Sequence, residues 1–507
     1  MLVSKDKLLA YTITGGVVSE EPLASMAGAR ILEKEGNAVD AAVATSLALA
    51  VVTPHLGGIG GDFFALVRTP EGEVYFVNGS GYAPSRLTRE LVREKGYTSM
   101  PSRGPLSITV PGMVDALYTL WRRWGSLEWA TLVEPAEALA RNGFPAPPSL
   151  VKAIKSNLEV ISRDPGSKQT YLELGIEEPG DPVVFPGLAE LLGMVKEDPR
   201  SFYEGEPAER IEEYVSSLGG VLSKGDMKLY HASEDTPLSI EYHGWRVYEM
   251  PPNTQGITTL HMLMLLEDKK LPKNTLLRLR HLLQAAKKAY AVRDKYIGDP
   301  RFMRLKSKEL LSKEVLENIS WEPQPMGGGE DTTFFAVVDR EGVIVAGIQS
   351  LFYPFGSAIT EPKYQVTLNN RAQGFTLKEG YPNTLAPLKK PLHTLSAVIM
   401  ENSSHVIALG LSGGHLRPQL HALLITSIID HGMDVGEAIS APRAVWQPGS
   451  NRIIVDKGFA DKITPPEGYE LVEGRTGVAS AIDVRLDKGT RVLATDPRGD
   501  GYPLPLI

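Results

Sequence analysis

The chain of 507 residues contains no cysteine, which excludes disulfides, thiolate metal centres and cysteine nucleophiles together. It also lacks an apolar run long enough to cross a bilayer. The longest weakly polar stretch, Ala41 to Val52, holds Thr45 and Ser46, follows Asp40 and stops at Pro54, short of the roughly 20 residues a span needs. That stretch reads as a buried helix, and no membrane partner is expected. Basic clusters interleaved with aromatics are missing, and a net charge of −8 with a pI near 5.8 runs against a phosphate-binding footprint. Nucleic acid is therefore not an expected partner. The ten histidines form no H-E-x-x-H pattern, so neither a metal nor another cofactor is expected. Met1 to Ile13 carries Lys5, Asp6 and Lys7 but no apolar core of signal-peptide length, which reads as a cytoplasmic start.

What is present is an ordinary globular composition, 42% hydrophobic and 22% charged, enough for roughly two to four domain-sized units or one large composite. Pro22 to Glu35 has helical spacing and ends at Gly36, and a second helix follows from Asp40. The glycine-rich turn Gly57 to Gly61 then leads into a strand at Phe63 to Arg68. It follows a helix and precedes a strand, the reverse of a dinucleotide fingerprint, so close backbone packing is the expected reason for it. Residues 110 to 320 read as mostly helical. From Thr332 the texture changes to hairpins: Phe334 to Asp339, a turn at Arg340 to Gly342, then Val343 to Ser350. If Asp339 faces Gly342, Gln349 lies opposite Thr332 with Ser350 beside it. Later strands are expected at Leu395 to Met400, at His405 to Leu411, near Ile453 and over Ala481 to Leu493, with a helix at Gln419 to His431. Strands between helices predict a layered α/β fold.

The segment richest in chemistry is Gly327-Gly328-Gly329-Glu330-Asp331-Thr332-Thr333, a glycine tether running into that hairpin. A threonine at a chain's beginning is a competent nucleophile. Its own α-amine, with a pKa of about 7.7 to 8.0, accepts the hydroxyl proton at neutral pH without a histidine. Here the threonine lies mid-chain and would first have to be freed. A second nucleophile pattern, Gly410-Leu411-Ser412-Gly413-Gly414, matches the G-x-S-x-G elbow of α/β-hydrolases. That fold needs an acid and then a histidine further along, and the last histidine, His431, is adjacent to Asp430.

Pro22-Leu23-Ala24-Ser25, the run Gly36 to Ala44, Pro54-His55 through Gly61, and Val110-Pro111-Gly112 are joined by Gly143-Phe144-Pro145, Phe202 to Gly205 and Met250-Pro251-Pro252. Gly298-Asp299-Pro300, Ala441-Pro442-Arg443 and Asp496-Pro497-Arg498 complete the series. In this order, over nearly the whole chain, they resemble the γ-glutamyltranspeptidase family of N-terminal-nucleophile hydrolases. The resemblance implies a four-layer αββα sandwich made as one precursor. It would cut itself between Asp331 and Thr332, leaving residues 1–331 as a large subunit and 332–507 as a small one, with a dimer of such pairs a further expectation. Small-molecule amides are the implied substrates. Thr332 is the implied nucleophile, Gly413 and Gly414 match the family's oxyanion glycines, and Thr333 and Ser350 match positions where relatives carry threonines beside the nucleophile.

The substrate-reading positions depart from the family pattern. Ser80 occupies the slot of the arginine that grips a glutamyl α-carboxylate, Arg371 and Gly374 fall where a carboxamide and a carboxylate grip the α-amine, and the usual Ser-Ser pair reads His393-Thr394. Phe352 replaces an asparagine two residues beyond Ser350. Losing these charge-assisted contacts, each worth on the order of 1.5 to 3 kcal/mol, makes glutathione an expected poor substrate. Arg371, with Arg417 beside the glycine pair, is available to pair with a carboxylate placed differently, as in acylase-like members that cleave other amides, including glutaryl-type ones. Structural ion pairs for both arginines, and an inactive binding protein, are the alternatives.

Overall fold

The structure is a computed structural model that describes residues 8–272, 275–324 and 331–506; the Gly327 to Gly329 tether lies outside them. Two seven-stranded sheets, antiparallel throughout, stack face to face. The first runs Leu504–Pro505, Gly16–Ser19, Asp331–Val338, Ile344–Phe352, Asp62–Arg68, Val74–Gly79 and Ser233–Asp235 from edge to edge. The second runs Leu8–Thr12, Thr490–Thr495, Ala479–Arg485, His405–Leu411, Val398–Glu401, Trp245–Glu249 and Leu238–Tyr242.

Side-chain alternation along the strands builds the layers. Phe334, Ala336 and Val338 lie in the core between the sheets, whereas Phe335 and Val337 lie in the core shared with the helices of the first sheet. Phe64 and Leu66 divide from Phe63, Ala65 and Val67 in the same way, as do Val406 and Ala408 from Ile407 and Leu409. The first sheet is covered by helices that include Pro22–Glu33, Ala38–Val52, Met113–Trp124 and Trp129–Asn142; the second is covered by Gly256–Leu266, Thr275–Tyr296 and Arg417–Ile429. The result is the αββα sandwich. Both faces of these strands are buried, so their sequences run apolar without a break. Each fully buried large side chain contributes about 1.5 to 3 kcal/mol.

Local chemistry fixes where the elements begin. The Ala38–Val52 helix is buried at every residue, as its composition predicts, and starts two residues before Asp40. Asn37 accepts the Val39 and Asp40 N–H groups while the Asp40 carboxylate reaches back to the Asn37 N–H at 3.1 Å, a reciprocal cap. The Gly57 to Gly61 turn packs against the central strands, as expected. A Cβ on Gly57 would lie 2.7 Å from Gln349 Cγ, and one on Gly61 would lie 2.6 Å from the Ser350 carbonyl oxygen.

The stretch from 110 to 320 is mostly helical, as expected, and also supplies Ser233–Asp235 and the hairpin Leu238–Tyr242/Trp245–Glu249, the edges of the two sheets. The expected strand near Ile453, Arg452–Val455, belongs to a separate three-stranded sheet with one parallel pair. Two expectations need correction. The hairpin register is one residue away from the expectation, because the turn is longer. Thr333 pairs with Gln349, and a bulge follows before Asp331 pairs with Phe352, so Thr332 sits at the irregularity. Bulges of this kind re-aim a side chain or end a ladder. An α/β-hydrolase needs a parallel sheet, so antiparallel pairing removes the Ser412 elbow reading; the Ser412 hydroxyl instead accepts the Val478 N–H at 2.8 Å.

Candidate active site

Asp331 and Thr332 are joined in this structure, so the site is that of the uncut chain. Thr332 is 2% exposed. The adjoining Thr333 is buried, and its hydroxyl has no hydrogen-bond partner among the described residues. Two contacts bring the Thr332 strand and the glycine turn together. Phe334, two residues after Thr332, lies under Gly410, where an added Cβ would come within 2.2 Å of the ring. Phe352, opposite Asp331, meets the ring of His415 edge-on at 6.0 Å. The first contact falls three residues before Gly413 and the second falls one residue after Gly414.

Gly413 and Gly414 have φ values of 155° and 47°, conformations that side chains resist. A Cβ on Gly413 would also press to 2.8 Å from Leu420. Among the described residues neither N–H is committed to an acceptor, so both donors remain for a ligand. On the other side of the strand, Glu20 is buried and its carboxylate accepts the Phe334 N–H at 3.3 Å. Glu20 also lines an open cleft of about 740 Å³, together with Val478, whose N–H and carbonyl both bond Ser412.

Ser350 pairs with Asp62 on the neighbouring strand, and its hydroxyl accepts the Phe352 N–H at 2.7 Å. Phe352 holds a non-glycine φ of 88° while fully packed, a strained conformation of the sort that collects at functional sites. Its ring lies 4.1 Å beneath the Arg371 guanidinium. Arg371 donates to the Thr394 hydroxyl at 3.0 Å and faces Asp62 at 3.6 Å. Asp62 also accepts the Gly81 N–H and the His393 Nε2–H, each at 2.9 Å. His393 Nδ1 accepts the Leu395 N–H, so both ring nitrogens are committed and the neutral tautomer is fixed. Burial, then the nearby Arg371, Arg417 and Lys390 charges, hold the His393 pKa well below its ordinary value. It positions Asp62 and does not serve as a free base.

Arg417 donates to the carbonyls of Leu411, at 2.8 Å, and Thr394. Burial lowers both guanidinium pKa values, Arg371 to about 10 and Arg417 to about 9, with their mutual repulsion the next cause for Arg417. The same burial raises Asp62 to about 6 against the pull of Arg371. Ser80 lies at the edge of this cluster with its hydroxyl spent on protein: it accepts from Asn253 at 2.9 Å and donates to the Gly81 carbonyl at 3.2 Å. Thus Arg371, His393, Thr394 and Arg417 form one buried group, and Ser80 supports it from outside.

Sequence reading missed Asp62 and Gln255. Asp62 is a charged residue opening a strand that is apolar from Phe63 to Val67, and that anomaly was the available signal. Gln255 Nε2 bridges the Thr394 and Gly414 carbonyls at 2.9 and 2.7 Å, with its oxygen fixed by Arg293. Nothing in the sequence marks it, because its partners come from three distant segments. Among the described residues no cluster of three or more histidines and acids is placed to hold a metal, and no helix is long and apolar enough to cross a membrane.

A family model for gamma-glutamyltranspeptidase matches residues 24–506. The chain is 37% identical to a glutathione hydrolase-like proenzyme of Bacillus subtilis, covering 96% of this chain and 97% of the relative. It is 33% identical to an oxamate amidohydrolase proenzyme of Klebsiella pneumoniae, with the same two coverages. Among solved structures, a cephalosporin acylase from Bacillus halodurans superposes with a TM-score of 0.91 at 32% identity, over 98% of this chain and 97% of that one.

Proposed function

Since this chain belongs to the gamma-glutamyltranspeptidase family, and is thereby an amide hydrolase or transferase of the N-terminal-nucleophile type, we propose that Thr332 is its nucleophile. In the precursor the Thr332 hydroxyl attacks the Asp331 carbonyl carbon, and the acyl group shifts from nitrogen to oxygen. Water then cleaves the ester, leaving the Asp331 carboxylate and a free Thr332 amine, with residues 1–331 and 332–507 held together as a pair. In the mature enzyme the α-amine takes the Thr332 hydroxyl proton as the oxygen attacks a substrate amide, and returns a proton to the leaving amine. Water or a second amine releases the acyl group.

The observation that carries this reading is the meeting of two segments. The bulged strand end bearing Thr332 and the turn bearing two uncommitted N–H donors, Gly413 and Gly414, are held together by the Phe334–Gly410 and Phe352–His415 contacts. A tetrahedral oxyanion placed between them would gain roughly 3 to 4 kcal/mol per donor. The relatives' names cover glutathione, oxamate and a cephalosporin, so the acyl group varies across the family. In this chain the Ser80 hydroxyl is engaged by protein and stands where a gripping arginine is expected, which favours hydrolysis of a small amide over γ-glutamyl transfer from glutathione.

Intact mass and N-terminal sequencing of the purified protein, beside a Thr332→Ala variant, test the reading. Two pieces near two-thirds and one-third of 55.2 kDa are expected, the smaller beginning Thr-Thr-Phe-Phe, with a single piece in the variant. Amide hydrolysis by the variant should fall at least about a thousandfold, the scale seen when a nucleophile is removed. A wild-type chain that stays whole and inactive would return the protein to the binding-protein alternative.

A further inference from the structure

We propose that Glu20 is the positioning residue of the Thr332 α-amine, its carboxylate receiving the ammonium group that forms when the amine takes up the hydroxyl proton. The proposal rests on the Thr332 reading for the reaction, and on the geometry of one strand edge for the residue.

The strand Gly16–Ser19 runs beside the nucleophile strand, and its pairing stops with Ser19 opposite Phe335. Where the next backbone acceptor would stand, the Glu20 side chain takes over. It is buried, and its Oε1 accepts the Phe334 N–H at 3.3 Å. Asp331–Val338 is continuous through this point, because the extra residue of the irregularity lies on the partner strand, where Ser350 and Leu351 together stand against Thr332. Along a regular strand, N–H groups two residues apart point to the same edge and lie roughly 6.7 Å from each other. The nitrogens of Thr332 and Phe334 therefore share the edge that Gly16–Ser19 has just left, and the Glu20 carboxylate stands on it. Side chains alternate in the same way. Thr332 falls on the face of Phe334 and Ala336, toward the second sheet, whose His405–Leu411 strand leads into Gly413.

The reaction calls for such a group. As Thr332 Oγ bonds to the substrate carbonyl carbon, the hydroxyl proton moves to the α-amine and a positive charge appears inside the fold. Glu20 accepts a hydrogen bond from that ammonium without taking its proton, which passes to the leaving amine as the C–N bond breaks. Burial alone disfavours a charged amine, whereas an anion within about 4 to 6 Å favours it by roughly one to three pKa units.

The surrounding charges leave this task to Glu20. Glu21, the next residue, is spent on the helix Pro22–Glu33 through the Ala24 N–H at 3.0 Å, and burial pushes its carboxyl up to about 7. His55, in the same cleft as Glu20, is kept neutral by burial, its pKa lowered to about 3. Asp500, Arg475 and Lys152 also line that cleft. From the helix after the glycine turn, Arg417 is lowered by burial and Arg371, and the Glu249 and Glu20 charges oppose both. Glu20 is thus felt on the side of the molecule that carries Gly413 and Gly414.

The test measures the pKa of the Thr332 amine on the self-cleaved protein, from the pH dependence of its reductive methylation with isotope-labelled formaldehyde. In the wild type a value at or above the ordinary range of about 7.7 to 8.0 is expected despite burial. Glu20→Gln should lower it by about one pH unit or more, and should move the acidic limb of kcat/KM to lower pH by the same amount, with oxamate or γ-glutamyl p-nitroanilide as the amide. Its kcat should fall about tenfold or more with little change in KM. Glu20→Asp should recover part of each change, and Glu21→Gln, which removes a carboxylate one residue away, should move the limb by less than a third as much. A cleaved and folded Glu20→Gln enzyme whose amine pKa and acidic limb match the wild type overturns the proposal and leaves Thr332 catalysis intact. If that variant stays uncut, the wild-type amine decides, and a pKa below about 7 overturns the proposal. A wild-type chain that does not cleave overturns the Thr332 reading, and the role of Glu20 with it.

Discussion

Two buried arginine clusters in this molecule are built to opposite rules. In one, Arg443 and Arg498 meet Asp496 and Asp456: Arg443 bonds Asp496 and the carbonyls of Ile439, Thr476 and Gly477, while Arg498 bonds Asp456 at 2.6 Å and Asp496 at 3.0 Å. Two cations face two anions, and the other donors of Arg443 end on backbone carbonyls except the buried Nε, which has no partner among the described residues. In the other, Arg371 faces the acid Asp62 at 3.6 Å, Arg417 ends on the carbonyls of Leu411 and Thr394, and the Nη2 of each, with the Nε of Arg371, has no hydrogen-bond partner among the described residues. The charge-matched cluster ties the Ala441-Pro442-Arg443 turn to the loop after the Thr490–Thr495 strand, and its Arg498 and Asp456 line the open cleft. The Arg371 cluster lies beside the proposed catalytic turn. Sequence alone could not separate them, since each arginine stands in a similarly mixed polar and apolar context.

The largest effect expected from breaking this contrast is on stability at the charge-matched cluster. Arg443→Met removes one of the two cations that hold the buried Asp496, leaving it to Arg498, and should cost up to about 3 to 5 kcal/mol, read as a fall in the denaturation midpoint. Arg417→Met removes a charge that has no anion within ion-pair reach and should leave the midpoint unchanged or raised. A comparable fall in both variants would dissolve the distinction.

The next effect is a pH dependence at Asp62. Its native pKa is raised from 3.8 to about 6, chiefly by burial, so between those values the native state binds more protons than the unfolded state. Stability from this group is therefore full below pH 3.8 and is lost as pH rises through about 6. His393, depressed chiefly by burial, acts in the opposite direction around its ordinary pKa. The difference between wild-type and Asp62→Asn stability curves isolates the Asp62 part, on the order of 3 kcal/mol at 1.36 kcal/mol per pKa unit. Identical curves would show that Asp62 titrates normally.

The smallest effect is at Phe352. Phe352→Leu keeps an apolar side chain but removes the aromatic face beneath Arg371, worth about 0.5 to 2 kcal/mol. The denaturation midpoint should fall by a corresponding amount, and Phe352→Tyr, which keeps the ring beneath Arg371, should restore it. Equal losses in both variants would make Phe352 a packing residue only.

The layered architecture was legible because unbroken apolar runs such as Phe63–Val67 and Val406–Leu411 leave no polar face for water. The edge strands at 233–249 were not, because half-exposed edges lack that signature. Thr332, Gly413 and Gly414 stood out as motifs. Their approach through Phe334 and Phe352 did not, because it depends on how two sheets stack. The hairpin register missed by one residue because Asp339 faces Val343 and not Gly342, and a bulge precedes Thr333.

The sequence by itself determined the covalent possibilities: no thiol chemistry, a threonine on a β-strand, a glycine pair with the backbone freedom to turn at φ values of 155° and 47°, and arginines where a zwitterion reader was expected. Tertiary structure decided which charges meet. Asp62, Gln255, Arg371 and Thr394 come from four separate segments, and burial makes their balance matter. In water neighbouring guanidinium groups cost little, whereas inside the fold their charge has to be met by Asp62 and the surrounding carbonyls.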